Sequence, residues 1–253
     1  INNDGTTLAI GAWYDTNSGG EFTGAAYVYT RSMGGNWEEQ QKLIASDAVA
    51  CAQFGMSASM NSDGTILAIG AARDTNSNGV YAGAAYIFTR SVGGNWDEQQ
   101  KLVPTDGGQY WVMGYSISMS RDSTTLGIAS SSYGSHGVAY IYTRNIGGNW
   151  EEQQKLTASD STQYMGYGSS ISINNDGTVL AIGAEYTVNV YFGAGAAYVY
   201  TRSIGGNWEQ QQKFIASDPV PYSTFGHSVN MTDDATMLAI GAPNNYAGSV
   251  YVF

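Results

Sequence analysis

The sequence predicts an all-β fold, a β-propeller of four-stranded antiparallel blades, on three observations. Ten residues, GGNWEEQQKL at 34–43, return almost unchanged as GGNWDEQQKL, GGNWEEQQKL and GGNWEQQQKF. Their tryptophans, Trp37, Trp96, Trp150 and Trp208, recur at intervals of 54 to 59 residues, a period that suits a four-stranded blade. Each period holds four short segments of strand composition, and none carries the 3.6-residue helical pattern.

The first segment is FGMSASM (54–60), which returns as MGYSISM, YGSSISI and FGHSVNM. It alternates polar and apolar residues, with serines between small or branched ones. The second is TTLAIGA (6–12) and its copies, the third GAAYVYTR (24–31) and its copies, and the fourth is the tryptophan segment. NNDGT or NSDGT separates the first two, an Asx and glycine turn that closes a hairpin. Ser123 and Ala235 replace that glycine in two copies, so it helps without being obligatory. GGN joins the third and fourth segments through residues free to take positive φ.

Small residues in the first two segments place them innermost, where strands crowd around an axis. Gly55, Gly114, Gly168 and Gly226 allow the close approach. The tryptophans then lie on the outermost strand and fill the widest gap between blades, all four in equivalent positions. The first unit begins at its second segment and the fifth stops after its third, so the strand count runs three, four, four, four, three. Five blades in a single domain over 1–253 is the simplest count. A seven-bladed ring, or one completed by a neighbouring chain, also fits. Residues preceding Ile1 or another chain are expected to complete the end blades.

Composition excludes several functions. The net charge of −11 disfavours a nucleic-acid partner. Eight of the ten basic residues fall at repeated positions, Arg31, Arg90, Arg144 and Arg202 with Lys42, Lys101, Lys155 and Lys213, leaving no basic patch. No run of apolar residues is long enough to cross a bilayer as a helix. Cys51 is the only cysteine, so no internal disulfide forms. Asn230-Met231-Thr232 is an N-glycosylation sequon.

Phe54-Gly55 and Phe225-Gly226 before serine-bearing strands, LAIGA, Gly241-Ala242-Pro243 and the closing GSVYVF resemble the FG-GAP repeat of integrin α-subunit propellers. The resemblance spans essentially the whole chain, and the tryptophan strand is most similar to microbial and algal forms of the repeat. It implies an extracellular or cell-surface protein that binds, adheres or assembles. Integrin-type propellers have seven blades, which pulls against five. The family's calcium loop carries spaced and terminal carboxylates that NNDGTTLA lacks, so no calcium site is carried over to Asp4, Asp63 or Asp176.

Loops joining the second and third segments, and one blade to the next, open on one face and differ between copies. Variable loops on a rigid frame are where function concentrates. That face carries Trp13, Tyr14, Tyr81, Tyr110, Trp111, Tyr133, Tyr164, Tyr186, Tyr191 and Tyr222. Such rings stack on sugars or anchor a protein, so the expected partner is a protein or a neutral glycan. Self-assembly through open strand edges is the alternative.

No cofactor is expected, calcium being the one the loops admit. DTNSNGV offers Asp74, Asn76, Asn78 and the Val80 carbonyl, and DTNSGGE offers Asp15, Asn17 and Glu21, without the bidentate acid of a full calcium loop. Asp47, Asp106, Asp160 and Asp218 are expected to cap local turns. Arg31 is expected to pair across the hairpin with Glu38 or Glu39. His136 and His227 stand at non-equivalent places without a Cys or His at ligand spacing. With no nucleophile elbow either, the expectation is a protein without enzymatic activity.

Overall fold

The computed structural model describes residues 1–131, 137–160, 166–188, 191–204, 206–245 and 247–253. All regular structure among them is strand, in five antiparallel sheets that run in chain order. The first holds β1 (Thr7–Ala12), β2 (Ala25–Arg31) and β3 (Trp37–Leu43). The second holds β4 (Phe54–Met60), β5 (Ile66–Ala71), β6 (Ala84–Arg90) and β7 (Trp96–Leu102). The third holds β8 (Met113–Met119), β9 (Thr125–Ser130), β10 (Val138–Arg144) and β11 (Trp150–Leu156). The fourth holds β12 (Tyr167–Ile173), β13 (Val179–Ala184), β14 (Ala196–Arg202) and β15 (Trp208–Phe214). The fifth holds β16 (Ser228–Met231), β17 (Leu238–Ala242) and β18 (Ser249–Val252). The sheets stand as blades, and among the described residues no strand pairing joins the fifth sheet to the first.

Local chemistry explains each hairpin. Asn61 Oδ1 accepts from the backbone of Thr65 and Ile66, while Asp63 Oδ1 accepts from Thr65 N and Oγ1. The same Asp–Thr arrangement recurs at Asp4, Asp122 and Asp234. Ser123 and Ala235 take the glycine's left-handed φ, at 61° and 56°, because the flanking bonds hold the turn. At the inner strand a bulge separates Phe54 from Ser57. Gly55 sits in it at φ 91°, where a Cβ would lie 2.2 Å from the Ala25 carbonyl oxygen. Only glycine fits such an approach.

The cores lie between blades, each cluster drawing from two adjacent sheets. Two belts of hydrogen bonds tie the blades together, both directed from one blade to the next. In the inner belt Ser57, Ser116 and Ser170 donate to the carbonyls of Gly114, Gly168 and Gly226 at 2.8–2.9 Å. Ser59, Ser118 and Ser172 accept from the backbone of Met119, Ile173 and Met231. The serine alternation of the first segment therefore faces the neighbouring blade.

The outer belt explains the ten-residue motif. Gln41 clamps the backbone of Trp96, accepting from its N at 2.8 Å and donating to its O at 2.9 Å. Gln100 holds Trp150 in the same way, and Gln154 holds Trp208. Gln40, Gln99 and Gln153 donate to the Gly94, Gly148 and Gly206 carbonyls. At each of these three junctions the GGNW of one copy receives and the QQ of the copy before it gives.

Three expectations are corrected. The tryptophans are not equivalent: Trp96, Trp150 and Trp208 are 2–3% exposed, but Trp37 is 38% exposed. Each buried ring packs on the outer strand of the preceding blade, and the first sheet has no such strand against it. Asp47, Asp106 and Asp160 reach beyond their own turns, in addition to a bond with their own backbone. They receive the Tyr86, Tyr140 and Tyr198 hydroxyls and the Lys101, Lys155 and Lys213 ammonium groups of the next blade. Asp218 receives Tyr251 alone in that role. Arg31 donates to the Gly35 carbonyl at 3.3 Å instead of pairing with Glu38 or Glu39, closing its own hairpin.

Candidate functional site

Because the turns on one face are uniform, the long-loop face is where copies differ. A cavity of about 280 Å³ opens there across three consecutive blades. Trp13 and Tyr14, which follow β1, form one wall with ring centroids 3.6 Å apart. Met56 and Arg73 come from the second blade, Tyr115 and Ser131 from the third.

Most of these residues stand at positions where the copies differ, although Tyr14 recurs as Tyr186. The position after Gly in the inner strand reads Met56, Tyr115, Ser169 and His227. The position after strands β1, β5, β9, β13 and β17 reads Trp13, Ala72, Ser131, Glu185 and Pro243. At the fourth and fifth blades those two positions meet: His227 Nδ1 lies 2.5 Å from Glu185 Oε2, with the carboxylate buried and the imidazole half exposed. Burial raises the Tyr115 hydroxyl pKa, and the Glu185 charge raises it further. Arg73 is exposed, with its guanidinium 5.8 Å from the Tyr81 ring centroid.

The aromatic residues expected on this face divide into two groups. Trp13 and Tyr14 reach the cavity, and Tyr14 also meets Phe22 edge-on at 5.2 Å. Of the others among the described residues, Tyr81 pairs with Tyr110, and Tyr222 with Phe192. Tyr110 and Tyr222 remain more than half exposed, and Tyr186 and Tyr191 are exposed as well. Trp111 packs partly into the core, with the Lys155 ammonium 4.6 Å above its ring. Tyr133, Tyr164 and His136 lie outside the described residues.

The oxygen-rich loops turn their donors inward. Asp74 is buried against the Tyr86 hydroxyl at 2.8 Å and the Lys101 ammonium at 3.0 Å. Asn76 Oδ1 accepts from Asn78 N, the Asn78 amide donates to the Pro104 carbonyl, and the Val80 carbonyl accepts from Tyr110 N. In the first blade Asp15 holds Tyr27 and Lys42, Asn17 bridges Gly19 and Gly24, and Glu21 is exposed. These two sets do not converge on a point, and no cluster of three or more His, Cys, Asp or Glu suited to a metal occurs among the described residues. Asn230 is exposed on β16 and lines a second cavity of about 300 Å³ beside the inner strands.

Antiparallel sheets standing as blades, with uniform turns on one face and variable loops on the other, define a repeat protein of β-propeller type. The FG-GAP repeat matches residues 37–88, 150–200 and 208–253, more than half of the chain. The chain belongs to the FG-GAP repeat family. Membership supports a binding or structural module in general. No curated protein matches the chain. Among solved structures it is similar to the periplasmic gluconolactonase PpgL of Pseudomonas aeruginosa, at 13% identity and TM-score 0.47, over 98% of this chain and 81% of that one. It is also similar to Sqt1 from Chaetomium thermophilum, at 13% identity and TM-score 0.51, over 78% of this chain and 43% of that one. Both are β-propeller proteins, and at such identity the likeness concerns the fold alone. No helix among the described residues is long and apolar enough to cross a membrane.

Proposed function

We propose that this chain is a non-enzymatic recognition module of the cell surface or extracellular space, holding a neutral glycan or a protein segment on its long-loop face. The observation that carries this reading is the cavity walled by Trp13, Tyr14, Met56, Arg73 and Tyr115, at the positions where the copies disagree. Stacked rings beside a few polar groups suit a sugar face or an apolar side chain. The net charge of −11 disfavours acidic polymers. Family membership fits a surface location and a binding role.

Titration calorimetry against neutral oligosaccharides and candidate surface proteins tests this reading. Binding by the parent chain, weakened about tenfold or more in Trp13→Ala and Tyr14→Ala, supports it. Unchanged binding in both variants moves the site elsewhere.

A further inference from the structure

Met33, Val92, Ile146 and Ile204 are fully exposed, at 107–111%, and no other large apolar residue among those described exceeds 70%. All four hold one position, the first corner of the turn that joins the third and fourth segments of the repeat. Antiparallel strand order puts these turns on the uniform face, and the outermost fourth segment puts them at its rim. The inner turns of that face are polar, with Asp4, Asp63, Asp122, Asp176 and Asp234 exposed. A single exposed apolar residue is ordinary on a soluble protein. Four at one repeated position, none of them covered, form a set.

Each tip stands on a braced turn. Ser32 N donates to Asn36 O and Gly35 N to Ser32 O, and the other three turns repeat both bonds, all at 2.7–2.9 Å. Nε of Arg31, Arg90, Arg144 and Arg202 donates to the carbonyl of Gly35, Gly94, Gly148 and Gly206 at 3.1–3.4 Å. Gln40, Gln99 and Gln153 of the preceding blade give the last three carbonyls a second donor. These backbone groups have their partners within the protein, so the tip can leave water without orphaning them.

The tip residue is also the variable one in an otherwise fixed turn. It reads Met, Val, Ile and Ile between Ser or Asn and an unchanging Gly-Gly-Asn-Trp. Apolar character is kept while shape changes. A protein pocket selects shape, because the core of an interface packs as densely as an interior. Fluid hydrocarbon selects apolarity alone. The tips come one to a blade with polar turns inside them, so they are separate points and not the continuous patch that a folded partner covers. We infer that the uniform face docks on a zwitterionic lipid surface. The four side chains enter the acyl boundary, and the arginines beside them lie at the level of the phosphates. The exposed carboxylates of the inner turns and the net charge of −11 turn this face away from anionic lipid and from a second copy of itself. This inference is independent of the ligand proposed for the long-loop face.

Sedimentation of the full chain with sucrose-loaded phosphatidylcholine vesicles tests this. The expected result is a bound fraction that rises with lipid and saturates. Ile146→Ser and Ile204→Ser should each weaken binding about tenfold, and serine at all four tips at least about a hundredfold. Thermal unfolding of these variants should match the parent, because the replaced side chains are fully exposed. Trp13→Ala and Tyr14→Ala, on the opposite face, should leave vesicle binding unchanged. Replacing part of the phosphatidylcholine with phosphatidylserine should weaken it. A natively folded chain that stays in the supernatant up to about 5 mM lipid overturns the inference. So does full binding by the variant with four serines, or binding lost in Trp13→Ala. A concentration-dependent dimer that the four serines abolish assigns the tips to a second copy and also overturns it.

Discussion

Trp37 and Trp96 sit in the same ten-residue motif, yet one ring is 38% exposed and the other 2%. The difference lies wholly in the neighbours. Trp96 packs against Leu43 and Ala45 of the first blade, and its backbone is held by Gln41. Among the described residues no outer strand packs on the Trp37 ring and no glutamine holds its backbone. An outer strand in this fold is thus stabilised chiefly by the blade on its receiving side. A repeated sequence therefore does not imply a repeated energy.

The sharpest test of that comparison is a matched pair of substitutions. Trp96→Ala should cost about 3–5 kcal/mol, the range for a fully buried large ring. Trp37→Ala should cost under about 1 kcal/mol, as at partly exposed surface positions. Urea unfolding of both variants measures this, and equal losses would break the argument that the neighbour decides.

The clamp itself offers a second pair. Gln100→Ala removes both bonds to the Trp150 backbone and leaves those groups partly buried, which should cost about 1–3 kcal/mol. Gln212→Ala removes no bond and should stay within about 0.5 kcal/mol of the parent. If the two variants unfold together, the outer belt does not hold blades.

Acid gives a smaller and more distributed effect. Lys155 and Tyr140 beside Asp106 hold its carboxyl below the usual value. Its contribution is full above the unfolded pKa near 3.9 and is lost as pH falls through the lower folded value. Stability should accordingly decline below about pH 4. Asp106→Asn should lose less between pH 5 and 3 than the parent does, as read by thermal unfolding across that range. An identical acid slope in the variant would remove Asp106 from the interface.

Calcium should have the smallest effect. Asp74 is committed to Lys101 and Tyr86, and the Asn76 and Asn78 side chains to the loop backbone. A divalent ion would have to displace an ammonium group to gain a ligand. Added calcium should shift the melting temperature by less than about 1 °C, and a larger shift abolished by Asp74→Ala would place a cation in that loop.

Much of the fold was legible in the repeats. Strand composition, Asx turns and fixed glycine positions act locally, so FGMSASM, LAIGA and GAAYVYTR named their strands, and the three, four, four, four, three count follows from them. The site was legible only in part. Trp13 and Tyr14 stood out as aromatic loop residues and His227 as a histidine outside the repeat, whereas Arg73, Tyr115 and Glu185 did not. Their signal was departure from the repeat: Arg73 and Arg121 are the two cations outside repeated positions, and Glu185 replaces a Trp, Ala, Ser or Pro of the other copies. The tertiary structure alone decided which copy faced which. The bonds from Gln41 to Trp96, from Ser57 to Gly114 and from Lys101 to Asp47 join residues more than fifty positions apart. No local pattern carries that pairing, because it arises only when one blade is laid against the next.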